Sequence, residues 1–390
     1  MTTAYVKQQE DVVCTAQPAP VAPPFVDCTP LNNEFDEITI ERLKSSGFTD
    51  GMVESLQQTV NKFPHRFWVV DNSGSMREND GYCVNLSGRT VKCTRWKEIQ
   101  ECVSYHINLA ALLFSPTTFT LLNDPGKRVG AQKFEVVSGK KELSVEVDEA
   151  LNIMLETDPS GRTPLRNHIH TIRDTVEAMA NNLKEEGKKV VVVLATDGIP
   201  TDSTRTEFVQ SLRSLESLPI WLVIRLSTNE EHVIEFYNDL DNQLELSMDI
   251  LDDFSGEAAE VYKYNPWINY GLPLHRLREM GCHNRLLDMI DERALTYDEL
   301  REFCVLIFGT GKCDGLEDPA IEWDKFLASI KRIMSEDLQW NPVKRVMMHW
   351  IDVDVLHRKY GNPNAMELLY YHRFDLLSVC IACLLGLFLL

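Results

Sequence analysis

The chain has 390 residues, with 39 Lys+Arg against 59 Asp+Glu and a formal net charge of −20. Hydrophobic residues make up 44% and charged residues 25%, an ordinary globular composition that excludes a mainly disordered, collagenous, coiled-coil or multi-span membrane protein. So acidic a chain lacks the basic face that a phosphate-backbone binder needs, so no nucleic-acid partner is expected.

Residues 1–37 read as a disordered tail. The run Gln17-Pro18-Ala19-Pro20-Val21-Ala22-Pro23-Pro24 has no apolar periodicity, and proline fixes φ and removes a donor. Met1 to Cys14 shows neither a basic n-region nor an apolar h-region, so the expectation is a cytoplasmic chain with reduced thiols. Residues 38–64 are helical in pattern. Ile40 and Leu43 precede a Gly47-Phe48 break, Met52, Leu56 and Val60 follow at helical spacing, and Thr49 or Asp50 is a candidate cap.

Across residues 65–265 strands alternate with helices. Phe67-Trp68-Val69-Val70 and Val190-Val191-Val192-Val193-Leu194 are continuous apolar runs, as buried parallel strands require. Thr117–Leu122, Val129–Val137 and Ile220–Leu226 also read as strands. Met248–Leu251 and Ala259–Tyr262 flank one more strand-like region. Helical periodicity covers Trp96–Phe114, Leu143–Leu155, Thr163 to about Lys184, Glu207–Leu215 and Glu230–Leu240. This alternation predicts an α/β fold, a doubly wound, mostly parallel sheet covered on both faces. Arg77 to Thr94 reads as an inserted loop. Cys83 and Cys93 flank its tip, as two free thiols or a pair.

Residues 266–372 read as an all-helical C-terminal region. Thr296-Tyr297-Asp298-Glu299 has capping-box spacing, and Asp318-Pro319 and Asn341-Pro342 look like helix starts with proline in the first turn. Trp323, Phe326, Leu327 and Ile330 share a helix face. Residues 373–390 form a hydrophobic tail. Leu376–Leu390 has no charge and is short of a full membrane span at 1.5 Å per residue, so the readings are membrane association or a buried helix. Cys380 and Cys383 within it suit palmitoylation or simple packing better than zinc or redox chemistry. The acidic runs Asp249–Asp253 and Asp352–Asp354 read as solvated faces.

The chemistry lies in three short runs. Asp71-Asn72-Ser73-Gly74-Ser75 follows the first strand directly. Thr196-Asp197-Gly198 follows the strongest strand. Gly161-Arg162-Thr163-Pro164-Leu165 opens a helix. Each run alone is ordinary turn or cap chemistry, with Thr163 an N-cap and Pro164 at the first helical position. Together they place three hydroxyls and two carboxylates where open α/β sheets bind ligands. All are hard oxygens, which suit Mg²⁺ or Mn²⁺.

Asp71-x-Ser73-x-Ser75, Thr163 and Asp197-Gly198 resemble the metal-ion-dependent adhesion site of the von Willebrand factor A domain family, over about Arg66 to Tyr264. The resemblance implies that Ser73, Ser75 and Thr163 coordinate the ion. Asp71 and Asp197 would act through water and orient the hydroxyls, and a partner's Asp or Glu would complete the site. Arg162 departs from the usual small residue. The implied function is a metal-dependent protein-binding module, an intracellular adaptor or assembly subunit rather than an enzyme. The alternatives are a metal-assisted hydrolase, for which no base stands beside the motif, and a tail-anchored scaffold with a non-functional metal site.

Overall fold

The computed structural model describes residues 34–84, 89–241, 243–334 and 338–361. Two helices come first, α1 (Glu37–Ser45) and α2 (Asp50–Lys62), separated by the Gly47-Phe48 break. Then follow β1 (Arg66–Val70), a 3₁₀ turn at Gly74–Arg77, β2 (Gly81–Val84), β3 (Thr90–Cys93), α3 (Arg95–Leu112), β4 (Thr117–Leu121) and β5 (Lys133–Val136). Next are α4 (Leu143–Glu156), α5 (Leu165–Glu185), β6 (Val190–Thr196), α6 (Arg205–Arg213), β7 (Ile220–Leu226), α7 (Glu231–Asp241) and β8 (Met248–Leu251). The chain continues through α8 (Phe254–Tyr264), α9 (Leu272–Glu279), α10 (Arg285–Met289), α11 (Tyr297–Phe308) and α12 (Trp323–Ile333). It closes with β9 (Gln339–Asn341), β10 (Val346–Met348) and α13 (Val353–Tyr360).

One six-stranded sheet organises the first part, in the order β5-β4-β1-β6-β7-β8. β4, β1, β6, β7 and β8 are parallel, and β5 joins the edge antiparallel. The fold is therefore the doubly wound α/β class, followed by a largely helical region. Side chains alternate across each strand. Trp68 and Val70 of β1 face a core shared with α3 and α4, whereas Phe67 and Val69 face one shared with α5, α6 and α7. The run Val190–Leu194 is fully buried because both faces are covered. From β1 the winding passes to β4 on one side and returns to β6 on the other. The carboxyl ends of β1 and β6 thus form the topological switch point, the usual ligand crevice of such sheets.

A third core joins α1 and α2 to α8 and the helices from α9 onward, and it includes Tyr105, Leu109 and Leu112 of α3. Helix α3 thus contributes to two cores at once. Buried Arg66, in β1, donates from Nε to Met280 O at 3.1 Å, tying the sheet to the residues after α9. Where α2 crosses α11 the two backbones nearly touch. A Cβ on Gly51 would lie 2.4 Å from Leu306 O and 2.5 Å from Val305 O. Gly51→Ala is therefore expected to lower stability by about 1–3 kcal/mol through overpacking, read as a fall in the urea midpoint.

Several sequence expectations need correction. Arg77 to Thr94 is not a plain loop: β2 and β3 pair as an antiparallel hairpin within it. Ala259–Tyr262 lies in α8, whose start is capped by Asp253 accepting from Ser255 N and Gly256 N. Strands do not stop after Tyr264, since β9 and β10 form a small antiparallel pair. Asn341-Pro342 therefore leads out of a strand, and Asp318-Pro319 lies in a turn ahead of α12. The Thr296 capping box does form, and Phe326, Leu327 and Ile330 are buried on one face of α12.

The segment Asp249–Asp253 is not a solvated face either. Asp249 and Asp253 are buried, and Asp249 Oδ1 accepts from Arg278 Nη2 at 3.0 Å. Arg278, itself buried, also donates to Glu257 at 2.6 Å and Asp291 at 3.1 Å. One guanidinium cannot neutralise so many carboxylates. Nearby Asp288 carries the excess: burial first, then the charge of Asp249, raises its carboxyl to about 7. A raised carboxyl means that the folded chain holds a proton the unfolded chain has lost, so this group's penalty grows as pH rises from about 4 to 7 and is complete above that. Asp288→Asn is expected to raise the melting temperature at pH 8 and to leave it unchanged below pH 4.

No helix among the described residues is long and apolar enough to cross a membrane. The expectations for residues 1–33, for Leu376–Leu390 and for Cys380 and Cys383 lie outside the described residues.

Candidate metal centre

Three loops meet at the switch point. Register places Val70 beside Ala195, and Asp71 N donates to Ala195 O at 2.8 Å, which carries the β1–β6 pairing one residue past the strand. Asp71 then turns the chain. Its Oδ1 accepts from Ser73 N at 2.8 Å and its Oδ2 accepts from Thr196 Oγ1 at 2.7 Å. That turn presents Ser73 Oγ and Ser75 Oγ 3.0 Å apart, and Ser75 Oγ donates to Asp197 Oδ1 at 3.0 Å. The loops thus link Ser73 Oγ, Ser75 Oγ and Asp197 Oδ1 into one hydrogen-bonded group of oxygens, and Asp71 holds that turn through Ser73 N and Thr196 Oγ1.

Thr163 arrives on the third loop. Gly74 N donates to Gly161 O at 3.2 Å and Ser160 N to Asn72 O at 2.7 Å, so this loop is stitched to the first. Gly161 has φ +91°, and a Cβ there would lie 2.7 Å from Asn123 Oδ1, so only glycine fits. Thr163 exchanges bonds with Thr201: its N–H donates to Thr201 Oγ1 at 3.0 Å and its carbonyl accepts from Thr201 N at 2.9 Å. Thr163 Oγ1 lies 3.9 Å from the position of a Cβ on Gly198, which sets it beside the Asp197 loop. The expected cap does not form. Helix α5 begins at Leu165 with Pro164 in the N-cap position and no side-chain cap bond. Arg162 is exposed, and its carbonyl accepts from Asn123 Nδ2 at 2.7 Å.

The electrostatics follow from burial. Asp71 and Asp197 are 0% and 1% exposed. Burial, then the charge of Asp197, raises the Asp71 carboxyl to about 6. Burial also raises Asp197, opposed by its bonds from Arg95 and Ser75. Two carboxylates held together out of water resist ionising together, and a proton or a cation relieves them. The residues therefore fit a hard divalent ion: they offer oxygen donors only, an Asp71 carboxyl that accepts from the neutral donors Ser73 N and Thr196 Oγ1, and serine hydroxyls that here bond one another.

Arg95 is a neighbour of this group that the sequence did not disclose. It opens α3 directly after the hairpin and is 3% exposed. Its Nη1 donates to Asp197 Oδ2 at 3.0 Å, while Nε and Nη2 grip both oxygens of Asp80 at 2.7 Å, and Nη2 also reaches Glu230 Oε1 at 2.8 Å. The fork leaves Asp197 Oδ1 turned to Ser75. No local signal marks Arg95, because two of these partners lie 102 and 135 residues away.

A second group deserves a different reading. Cys102 Sγ, His106 Nε2 and a Glu279 oxygen lie within 4.8 Å of one another, all buried. Both Glu279 oxygens, however, already accept from guanidinium groups: Oε1 from Arg225 Nε at 3.0 Å and Oε2 from Arg276 Nη1 at 2.7 Å. Two adjacent cations repel a third. Glu279 is a carboxylate hub between α3, β7 and α9, and its carboxyl stays well below the usual range because Arg276 and His275 outweigh its burial. From this hub a buried chain of charge runs to the hairpin. Arg225 pairs with Glu98, whose Oε2 accepts from Tyr82 N of the hairpin at 2.9 Å.

No protein-family model and no curated protein matches this sequence. Similarity to solved structures covers about half the chain. The manganese-loaded TRAP protein of Plasmodium vivax is 16% identical, over 49% of this chain and 69% of that one, at a TM-score of 0.30. A mutant of the PilB minor pilin from Streptococcus sanguinis is 12% identical, over 48% and 56%, at 0.32. The SpRpn10 VWA domain is 9% identical, over 48% and 86%, at 0.32. At these scores the fold assignment rests on strand order and register, and the function on the site itself.

Proposed function

We propose that the chain is a divalent-metal-dependent protein-binding module, serving as an adaptor or assembly subunit. The observation that carries this reading is the linked oxygen group of Ser73, Ser75 and Asp197 at the switch point, with Asp71 fixing the turn through Ser73 N and Thr163 on the adjoining loop. In this reading Ser73, Ser75 and Thr163 hold Mg²⁺ or Mn²⁺ directly, and Asp71 and Asp197 hold it through water. The bound ion supplies an electrophilic position for an outside carboxylate. Arg95 bears on that property. It already claims Asp197 Oδ2, so the site has less negative charge to give an ion than two free carboxylates would. An ion so held keeps much of its charge for a partner's Asp or Glu.

The reading is one of binding rather than hydrolysis. The residues that converge are hydroxyls and carboxylates already engaged with one another. Hydrolysis would require a base aligned to activate water. The test is an array of peptides bearing Asp, Glu, Asn or Gln at one position, probed with the full chain in Mg²⁺ and in EDTA. Retention of the Asp and Glu peptides in Mg²⁺ alone, lost in Asp71→Ala while the far-ultraviolet spectrum is unchanged, is the expected result. Equal retention of Asn and Gln peptides, or capture that survives EDTA, would overturn it.

A further inference from the structure

The hairpin beside this centre carries two thiols. Cys83, in β2, is buried, and Cys93, at the end of β3, is half-buried. Register pairs Cys83 with Val91 and Cys93 with Gly81, so the two are diagonal neighbours across the strands. Their Sγ atoms nevertheless lie 2.7 Å apart. That is within about 0.7 Å of the roughly 2.05 Å bond length of a disulfide, so closing it takes only a small side-chain movement. The other cysteines among the described residues, Cys102, Cys282, Cys304 and Cys313, are all buried. Cys102 donates to Glu279 and Cys313 to the Cys304 carbonyl.

We infer that Cys83 and Cys93 form a reversible disulfide site, oxidised by exchange with a low-molecular-weight disulfide such as glutathione disulfide. Cys93 is the attacking thiol because it is the one that solvent reaches. The hydrogen bond to Cys93, then burial, raises the Cys83 thiol and keeps it protonated until Cys93 has reacted. In the first step Cys93 loses its proton and its sulfur attacks one glutathione sulfur. A Cys93–glutathione bond forms, the glutathione disulfide bond breaks, and one glutathione leaves and takes up a proton. In the second step Cys83 loses its proton and attacks Cys93 Sγ. The protein disulfide forms, the mixed disulfide breaks, and the second glutathione leaves as thiol. Two protein thiols have lost two electrons and two protons, and one glutathione disulfide has become two thiols.

The place of the link gives it meaning. Cys83 follows Asp80 by three residues and Cys93 precedes Arg95 by two. The bond would close the hairpin between the two residues that grip one another beside Asp197.

The test exposes the full chain, with EDTA present, to glutathione disulfide, then alkylates free thiols and maps peptides by mass spectrometry. The expected result is the joint loss of alkylation at Cys83 and Cys93, a linked species lighter by two hydrogens, and recovery of both thiols in dithiothreitol. Cys83→Ser is expected to leave a stable glutathione adduct on Cys93, and Cys83→Ala gives the same reading if the serine disturbs the buried position. Alkylation of both thiols after treatment would overturn the inference. So would glutathione accumulating on wild-type Cys93 while Cys83 stays free. The exchange needs no metal, so its outcome is separate from that of the metal reading.

Discussion

Glu279→Ala is expected to destabilise the chain by about 3–5 kcal/mol, the cost of breaking a buried ion pair from one side. Glu279 is 0% exposed and stands at the meeting of three elements. It accepts from Arg225 of β7, from Arg276 within α9 and from Cys102 and His106 of α3, and His275 Nε2 lies 3.2 Å away. Alanine removes the anion that Arg225 and Arg276 share, and leaves one buried and one partly buried guanidinium behind. Arg225 retains Glu98, but Arg276 loses its carboxylate. Leaving a buried charge without its partner costs far more than the pair contributes. A large fall in the urea midpoint is the expected observation. An unchanged midpoint would mean that packing alone holds α9 against the sheet.

Asp71→Asn is expected to abolish measurable metal binding while the chain stays folded. The asparagine oxygen can still accept from Ser73 N, and its amide can donate to Thr196 Oγ1, so the turn keeps its bonds. What disappears is one of the two buried negative charges. Losing a carboxylate that supports coordination through water costs about 10–100-fold in affinity. Here the remaining carboxylate is already shared with Arg95, so the loss should fall at the upper end of that range. Binding of Mn²⁺ by the variant at wild-type affinity would remove Asp71 from the centre.

Much of this fold could be read from residue pattern. Val190–Leu194 is legible because a strand buried on both faces needs no polar alternation. Asp71, Thr163 and Asp197 were legible as loop residues because their runs end or precede strong periodic elements. The hairpin was not, since its strands are four residues each with mixed burial, and Gly81 begins one of them. The burial of Asp249 was not legible either, because it depends on Arg278 29 residues later. The same applies to Arg95 and Glu279: each looks like an ordinary helix charge until distant strands bring its partners. Asn341-Pro342 misled for a local reason. Asn341 Oδ1 accepts from Lys344 N, as an N-cap side chain does, but the chain turns back into β10 instead of winding on.

The most direct test of the metal centre is calorimetric titration of Mn²⁺ and Mg²⁺ into the full chain, beside Asp71→Asn, with melting temperature followed in the same samples. The account predicts binding at one site and a raised melting temperature in the wild type, both absent in the variant. Neither heat nor thermal stabilisation at millimolar ion, or the same response from both proteins, would contradict it.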